Sequence, residues 1–143
     1  MRMAAVDYGE RRVGLAISDE LGMFAHPAGA VEASGLDKQA TLVAARLKEL
    51  GAGRVLVGLP KNMDGSEGPS AQDARAFAEK LRAAFGGEVR LVDERLSTVQ
   101  ASRRMSEGGI SAKKQREKGR IDAGAAVVIL QGHLDVASPP GAG

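Results

Sequence analysis

The 143-residue sequence contains no cysteine and no tryptophan, and its aromatic residues are three phenylalanines and one tyrosine. The absence of cysteine excludes disulfides, zinc–thiolate sites and thiol nucleophiles. So few aromatic rings supply little base stacking, for which Tyr8 is the one candidate. The sequence also lacks a secretory leader and an apolar run of membrane-spanning length. We therefore expect a soluble cytoplasmic protein with no membrane partner.

The length predicts one domain with a sizeable core. We place this domain at residues 1–137. Residues 138–143 contain two prolines and two glycines, which is typical of a flexible C-terminal tail.

Charge is distributed unevenly along a chain whose net charge is only +2. From Arg103 to Arg120 the sequence has seven basic residues and two acidic ones. A basic block of this kind indicates either a solvated loop or a contact with a polyanion. Its function depends on whether catalytic residues lie beside it.

The segment Ala4–Asp19 is the most informative part of the sequence. An apolar strand ends on Asp7, the chain turns at Gly9, and a second apolar strand follows. A carboxylate at the end of a buried strand is costly unless a partner binds it. The pattern favours metal or phosphate chemistry, although Asp7 could instead bond backbone amides in the turn.

The remaining pattern predicts a mixed α/β sheet with helices on its faces. Pro27 and Gly29 predict an irregular or edge third strand, and Ser70 is a candidate helix N-cap. The predicted strands are 1–7, 12–19, 24–33, 54–60 and 89–92, and the predicted helices begin near 36, 70, 98 and 121.

Carboxylates follow several of these elements. Asp7 ends the first strand, the adjacent pair Asp93 and Glu94 follows the fifth, and Asp122 opens the last helix directly after the basic block. Because sites in such sheets gather at the carboxyl ends of strands, we expect these groups to converge. Asp122 could instead be a first-turn residue that the helix dipole favours.

Four segments, in order, resemble the YqgF family, also called RuvX, of Holliday junction resolvases and pre-16S rRNA nucleases. The resemblance covers about residues 3–135 and implies an RNase H-like fold, here a mixed five-stranded sheet with helices on both faces. The matching segments are Val6–Gly9 with Arg12–Ala16, Val57–Pro60 with Asn62–Gly65, Asp93–Thr98, and Lys118–Asp122 with Ala123, Ala125, Ala126, Ile129 and Leu130.

The resemblance implies a metal-dependent phosphodiesterase whose acidic triad is Asp7, Glu94 and Asp122. Mg²⁺ and Mn²⁺ prefer oxygen ligands, and two such ions can activate water and stabilise the leaving oxygen. Strand alternation directs only one of Asp93 and Glu94 inward, and the family pattern favours Glu94. Whether Asp93 or Asp64 assists the triad stays open.

Nucleic-acid binding should depend on phosphate contacts and therefore on salt. Ser97 and Thr98 suit helix caps, and His26 and His133 suit structural roles, better than catalysis. The candidate contact residues are Arg11, Arg12, Asn62, Arg95, Lys113, Lys114, Arg116, Lys118 and Arg120.

Two other functions share these motifs. The Asp7 hairpin also resembles the phosphate-binding hairpin of sugar kinases and actin, but these proteins hold ATP between two lobes and the sequence supplies one. A non-catalytic nucleic-acid-binding module is the second alternative, although all three carboxylates are present. The sequence leaves open whether the substrate is branched or single-stranded DNA or precursor rRNA, and whether the protein is a monomer or a homodimer.

Overall fold

The computed structural model describes residues 2–94 and 121–137, with side chains for 2–94 and 124–136. The predicted helix near residue 98, the whole basic block and the tail lie outside this part of the chain. The described elements are strands β1 (Arg2–Asp7), β2 (Arg12–Ser18), β3 (Ala25–Glu32), β4 (Ala52–Leu59) and β5 (Glu88–Asp93), and helices α1 (Leu36–Glu49), α2 (Pro69–Phe85) and α3 (Ile121–Ala137).

The five strands form one mixed sheet in the order β3-β2-β1-β4-β5. The first three strands pair antiparallel, whereas β4 and β5 continue parallel to β1. As predicted, β3 is an irregular edge strand, because its register with β2 shifts between Gly14 and Ala16. The carboxyl ends of β1, β4 and β5 consequently lie at one edge of the sheet.

Helices α1 and α2 cover one side of the sheet, here named the α1–α2 face. Strand residues of this side form one buried cluster with residues of both helices, including Val6, Val57, Leu47 and Phe77. Val6 and Val57 are also paired in the sheet. This cluster is the largest of the three hydrophobic clusters among the described residues.

Helix α3 covers the opposite side, here named the α3 face. Ala5, Ala16 and Leu56 contribute to a smaller cluster with α3. Because successive strand residues point to opposite faces, Ala5 and Leu56 belong to this face while their neighbours Val6 and Val57 belong to the other. The predicted arrangement of helices on both faces is confirmed.

Two local predictions were wrong. Ser70 does not cap α2, because the helix begins at Pro69 and its N-cap is Gly68. Helical spacing in the sequence also predicts an apolar stripe on α3 that includes Ala125, Val128, Ile129 and Leu134, but Ala125 and Val128 are only half-buried. The helix is apolar nearly all round, so spacing alone does not identify its contact side; the buried residues are Ala126, Ile129, Leu130 and Leu134.

No helix within residues 2–94 and 121–137 is both long enough and apolar enough to cross a bilayer.

Candidate active site

Asp7 is the last residue of β1, the central strand of the sheet. Its backbone pairs with Gly14 on β2, and alternation places it on the α3 face with Ala5. A continuous buried stretch, Ala4–Val6, precedes it. The sequence therefore builds a rigid strand that ends on a carboxylate.

Glu94 directly follows β5, where Asp93 pairs with Leu59 of β4. The Glu94 side chain lies over Gly58 on β4 and forms a hydrogen bond with Asp7. The structure thus brings together two of the three predicted acidic residues, although β4 separates their strands. It also places Glu94, rather than Asp93, in contact with Asp7.

Gly58 makes this approach possible. A Cβ at this position would overlap Glu94 Oε1 and would lie 2.6 Å from Ile129 Cδ1 on α3. Any larger residue would therefore push against the carboxylate or against the helix. Sequence analysis did not single out Gly58, although a glycine within an apolar strand indicates close approach of another group.

The environment of Glu94 disfavours its charged form. Burial, followed by the charge of Asp7, the hydrogen bond with Asp7 and the charge of Asp93, raises its pKa from 4.5 to about 7. Near neutral pH, a proton held between Asp7 and Glu94 relieves the repulsion between two carboxylates. A cation bound at the same place would relieve it too.

Asp122 lies in the first turn of α3. At its far end α3 is fixed by Gln131, which accepts a hydrogen bond from Ala25 N and donates one to Met23 O. One turn beyond Asp122, Ala126 shares a buried cluster with Ala5, which lies two residues before Asp7. From this cluster, one turn back along α3 (about 5.4 Å) leads to Asp122, and two residues forward along β1 (about 6.6 Å) lead to Asp7. The Asp122 backbone therefore lies toward the edge of the sheet that carries Asp7.

The loop after β4 also lies at this edge. The Asn62 amide donates to Ser66 Oγ at 2.9 Å, and Asp64 Oδ1 accepts from both Ser66 N and Ser66 Oγ. Asn62 and Asp64 therefore stabilise the loop itself. Contact of Asn62 with nucleic acid and assistance of the triad by Asp64 remain predictions.

The β1–β2 turn carries three residues singled out in the sequence. Arg11 and Arg12 are exposed, and Arg12 forms an ion pair with Glu32 on the edge strand. The Tyr8 ring packs against Phe77 of α2 with a centroid distance of 5.0 Å. Burial, with the charges of Asp73 and Glu10, raises the pKa of Tyr8. Tyr8 thus contributes to the core beneath the hairpin.

Six of the predicted contact residues lie outside the described part of the chain: Arg95, Lys113, Lys114, Arg116, Lys118 and Arg120. Among the described side chains, no group of three histidine or acidic residues is arranged to hold a metal ion. The Asp122 side chain does not belong to that set.

Comparison with known proteins gives a consistent family. The family model described as "RuvX: Holliday junction resolvase" matches residues 1–136. A protein of Anaeromyxobacter sp. (strain Fw109-5), named "Putative pre-16S rRNA nuclease", is 50% identical over 135 residues, covering 94% of this chain and 97% of its own. A protein of the same name from Myxococcus xanthus is 43% identical, covering 98% and 91%.

Solved structures agree on the fold. Thermus thermophilus RuvC in complex with a Holliday junction matches with a TM-score of 0.55 at 15% identity, over 97% of this chain and 96% of that one. The fowlpox virus resolvase with junction DNA matches with a TM-score of 0.51 at 12% identity, over 96% and 95%. The fold is RNase H-like, and the chain belongs to the RuvX family.

Proposed function

We propose that this protein is a metal-dependent nuclease that hydrolyses phosphodiester bonds of nucleic acids, with Asp7, Glu94 and Asp122 as its acidic triad. The contact between Asp7 and Glu94 carries the proposal. Two carboxylates share a hydrogen bond on the α3 face, and the pKa of Glu94 is raised to about 7. A fold gains nothing in stability by holding two like charges together, so the pair serves a ligand.

A hard divalent cation suits this donor set. Carboxylate oxygens are the ligands that Mg²⁺ and Mn²⁺ prefer, and a cation replaces the proton that the pair otherwise holds. The position of Asp122 in the first turn of α3 supports its inclusion as a third ligand. When bound, the metal supplies a polarised phosphoryl group and an activated water, and a two-ion site also stabilises the leaving oxygen.

The protein contributes rigid positioning. Asp7 is fixed at the end of the central strand, and Gly58 keeps the space that Glu94 occupies. With ionised side chains, both residues present oxygens on the same face of the sheet. Asp93, which lies close enough to raise the pKa of Glu94, increases the negative charge that attracts a cation.

The substrate class is nucleic acid, held through its phosphates. Basic residues beside the triad in sequence support this class, and they are Arg11, Arg12, Arg95, Lys113, Lys114, Arg116, Lys118 and Arg120. The names of the relatives favour precursor rRNA, whereas the family description favours four-way DNA junctions. We propose that one domain spanning residues 1–137 performs this reaction in the cytoplasm.

A cleavage assay tests the nuclease proposal. The purified full chain is incubated with a labelled four-way DNA junction, single-stranded DNA and a precursor rRNA fragment, in Mg²⁺, Mn²⁺ or EDTA. We expect metal-dependent products that Asp7→Asn reduces more than about 100-fold, since even ligand-orienting residues are worth 10–100-fold. Asp37→Asn is the control, because Asp37 is exposed on α1 and pairs with Lys80.

Three results would contradict the proposal. Equal cleavage by Asp7→Asn and wild type removes Asp7 from the triad. Binding of these substrates without cleavage in either metal identifies a non-catalytic module. ATP turnover without nucleic-acid cleavage would favour the kinase-like alternative. The oligomeric state on a junction, measured by light scattering, distinguishes paired cutting by a homodimer from action as a monomer.

A further inference from the structure

Gln39 on α1 is a buried polar residue that the triad does not explain. Its side chain is fully buried, and only Ser18 shares this property among the polar residues of the described chain. Ser18 lies at the opposite end of the sheet, where its hydroxyl accepts from Met3 N and donates to Asp19 O. Gln39 instead contacts the turn that follows Asp7.

The Gln39 amide is directed entirely at backbone carbonyls. Its Nε2 has two N–H groups for three acceptors, so one N–H is shared; the acceptors are Gly9 O at 2.8 Å, Ala33 O at 3.0 Å and Glu10 O at 3.1 Å. Within the described residues, its Oε1 has no hydrogen-bond partner. An orphaned buried oxygen costs about 1–3 kcal/mol, so the bonds made by Nε2 must offset that cost. Three carbonyls around the nitrogen also exclude the flipped amide.

These bonds determine how the turn is oriented. In a trans peptide the N–H points opposite to the C=O, and the described backbone has no cis peptide. Because the Gly9 and Glu10 carbonyls point at α1, the N–H groups of Glu10 and Arg11 point away from it. Neither N–H takes part in a hydrogen bond within the described residues.

Both N–H groups consequently point away from the α1–α2 face. Gln39 belongs to the α1–α2 face, whereas Asp7 lies on the α3 face. Glu10 is three residues from Asp7, so its N–H lies within about 10 Å along the chain. Gly9 keeps the turn tight, since a Cβ there would lie 2.5 Å from Arg12 O.

We propose that Gln39 is a positioning residue that turns the Glu10 and Arg11 N–H groups outward to bind a phosphate of the substrate backbone beside the scissile one. Successive outward N–H groups form an anion-binding concavity. The Arg11 side chain adds a positive charge at the same place, and the Glu10 carboxylate opposes it. The identity of the anion as a substrate phosphate rests on the proposed nuclease function. The orientation of the two N–H groups does not.

Amide NMR in EDTA tests the geometry without catalysis. The probe is inorganic phosphate, titrated into the ¹⁵N-labelled full chain. We expect the Glu10 and Arg11 amides to shift in a saturable way in wild type and in Arg11→Ala, which keeps the N–H. In Gln39→Met, which keeps the size but not the donors, both shifts should be lost. Equal shifts in wild type and Gln39→Met would overturn the role of Gln39.

A second pair of variants changes only the exposed turn and leaves the buried Gln39 side chain in place. Glu10→Pro removes one N–H from the exposed turn, and Glu10→Ala is its matched control. We expect Glu10→Pro to raise the KM for the cleaved nucleic acid about tenfold or more relative to Glu10→Ala, with kcat changed far less. A uniform loss of kcat at unchanged KM, or identical kinetics in the two variants, would overturn the phosphate contact.

The two experiments separate this inference from the nuclease proposal. Phosphate-dependent amide shifts in a protein that cleaves nothing keep the anion site and reject the nuclease. Metal-dependent cleavage without amide shifts, and with equal KM for the two Glu10 variants, keeps the nuclease and rejects the anion site. If Gln39→Met does not fold, the Glu10 pair decides.

Discussion

The two faces of the sheet are built from residues of different size. The α1–α2 face presents Val6 and Val57 to two helices and to the fully buried ring of Phe77. On the α3 face, Ala5, Ala16 and Gly58 lie beneath a single helix, with Leu56 as their larger neighbour. At most of these positions the strands therefore carry smaller residues on the α3 face than on the α1–α2 face.

This difference explains where the carboxylates lie. Large side chains on the α1–α2 face exclude water and hold the hairpin through the Tyr8–Phe77 contact. Small side chains on the α3 face let Ile129 approach the sheet and leave room for Glu94 above Gly58. Stability and function are thus assigned to opposite faces, and substitutions on each face should have separable effects.

Removing the ring of Phe77 tests the α1–α2 face and should have the largest effect on stability. Phe77→Ala leaves a cavity under the hairpin, so we expect the free energy of unfolding to fall by about 3–5 kcal/mol in urea titrations. Phe24→Ala is the matched control, because Phe24 is 58% exposed. Similar losses in both variants would show that burial on this face does not determine stability.

Filling the space on the α3 face should reduce activity more than stability. Gly58→Ala forces Glu94 or Ile129 to move, so we expect about 1–3 kcal/mol of destabilisation and at least a tenfold loss of cleavage. In Gly68→Ala the nearest atom is Asn62 Nδ2 at 3.8 Å, and full activity should remain. Full activity in Gly58→Ala would show that catalysis does not depend on the position of Glu94.

The sequence was sufficient to predict the sheet, its edge strand and the ends of the strands that carry Asp7 and Glu94. These features depend on local apolar runs and on turn residues. The family pattern favours Glu94 over Asp93, and Glu94 is the one that contacts Asp7, while its place in the triad stays a prediction. A missed local signal was Pro69: proline at the first helical position indicated that α2 begins before Ser70.

The rest depends on contacts between distant elements. The spacing of apolar residues in the sequence predicts that Leu42 belongs to the buried stripe of α1, but Leu42 is 41% exposed and Gln39 is buried. Gln39 lies inside because the carbonyls of Gly9, Glu10 and Ala33 need a donor there. A glycine at position 58 indicates that some group approaches the strand closely, but the local sequence does not identify that group, since the Glu94 side chain comes from the end of another strand.

Neutralising Glu94 should stabilise the metal-free protein. Because the fold raises the pKa of Glu94 from 4.5 to about 7, its ionisation removes stability as pH rises through this range. Glu94→Gln does not ionise and can still donate to Asp7. We expect it to be more stable than wild type at pH 8 in EDTA by about 1–2 kcal/mol after solvent screening, and no different below pH 4.

Metal provides the control for this prediction. Adding millimolar Mg²⁺ at pH 8 should raise the urea midpoint of wild type and reduce the advantage of Glu94→Gln, because a bound cation stabilises the ionised pair. A wild type that is more stable than Glu94→Gln at pH 8 without metal would show that the two carboxylates do not repel each other.

The smallest effect is expected away from the carboxylates, at His133 on the α3 face. Burial, followed by the charges of Arg90 and Arg54, lowers its pKa. A histidine whose pKa is lowered in the fold contributes stability above its ordinary pKa, and this contribution is lost as pH falls below about 6.5. His133→Gln should therefore flatten the fall in melting temperature between pH 7.5 and 5. If His133→Gln keeps the wild-type slope, protonation at His133 is not what weakens the α3 face in acid.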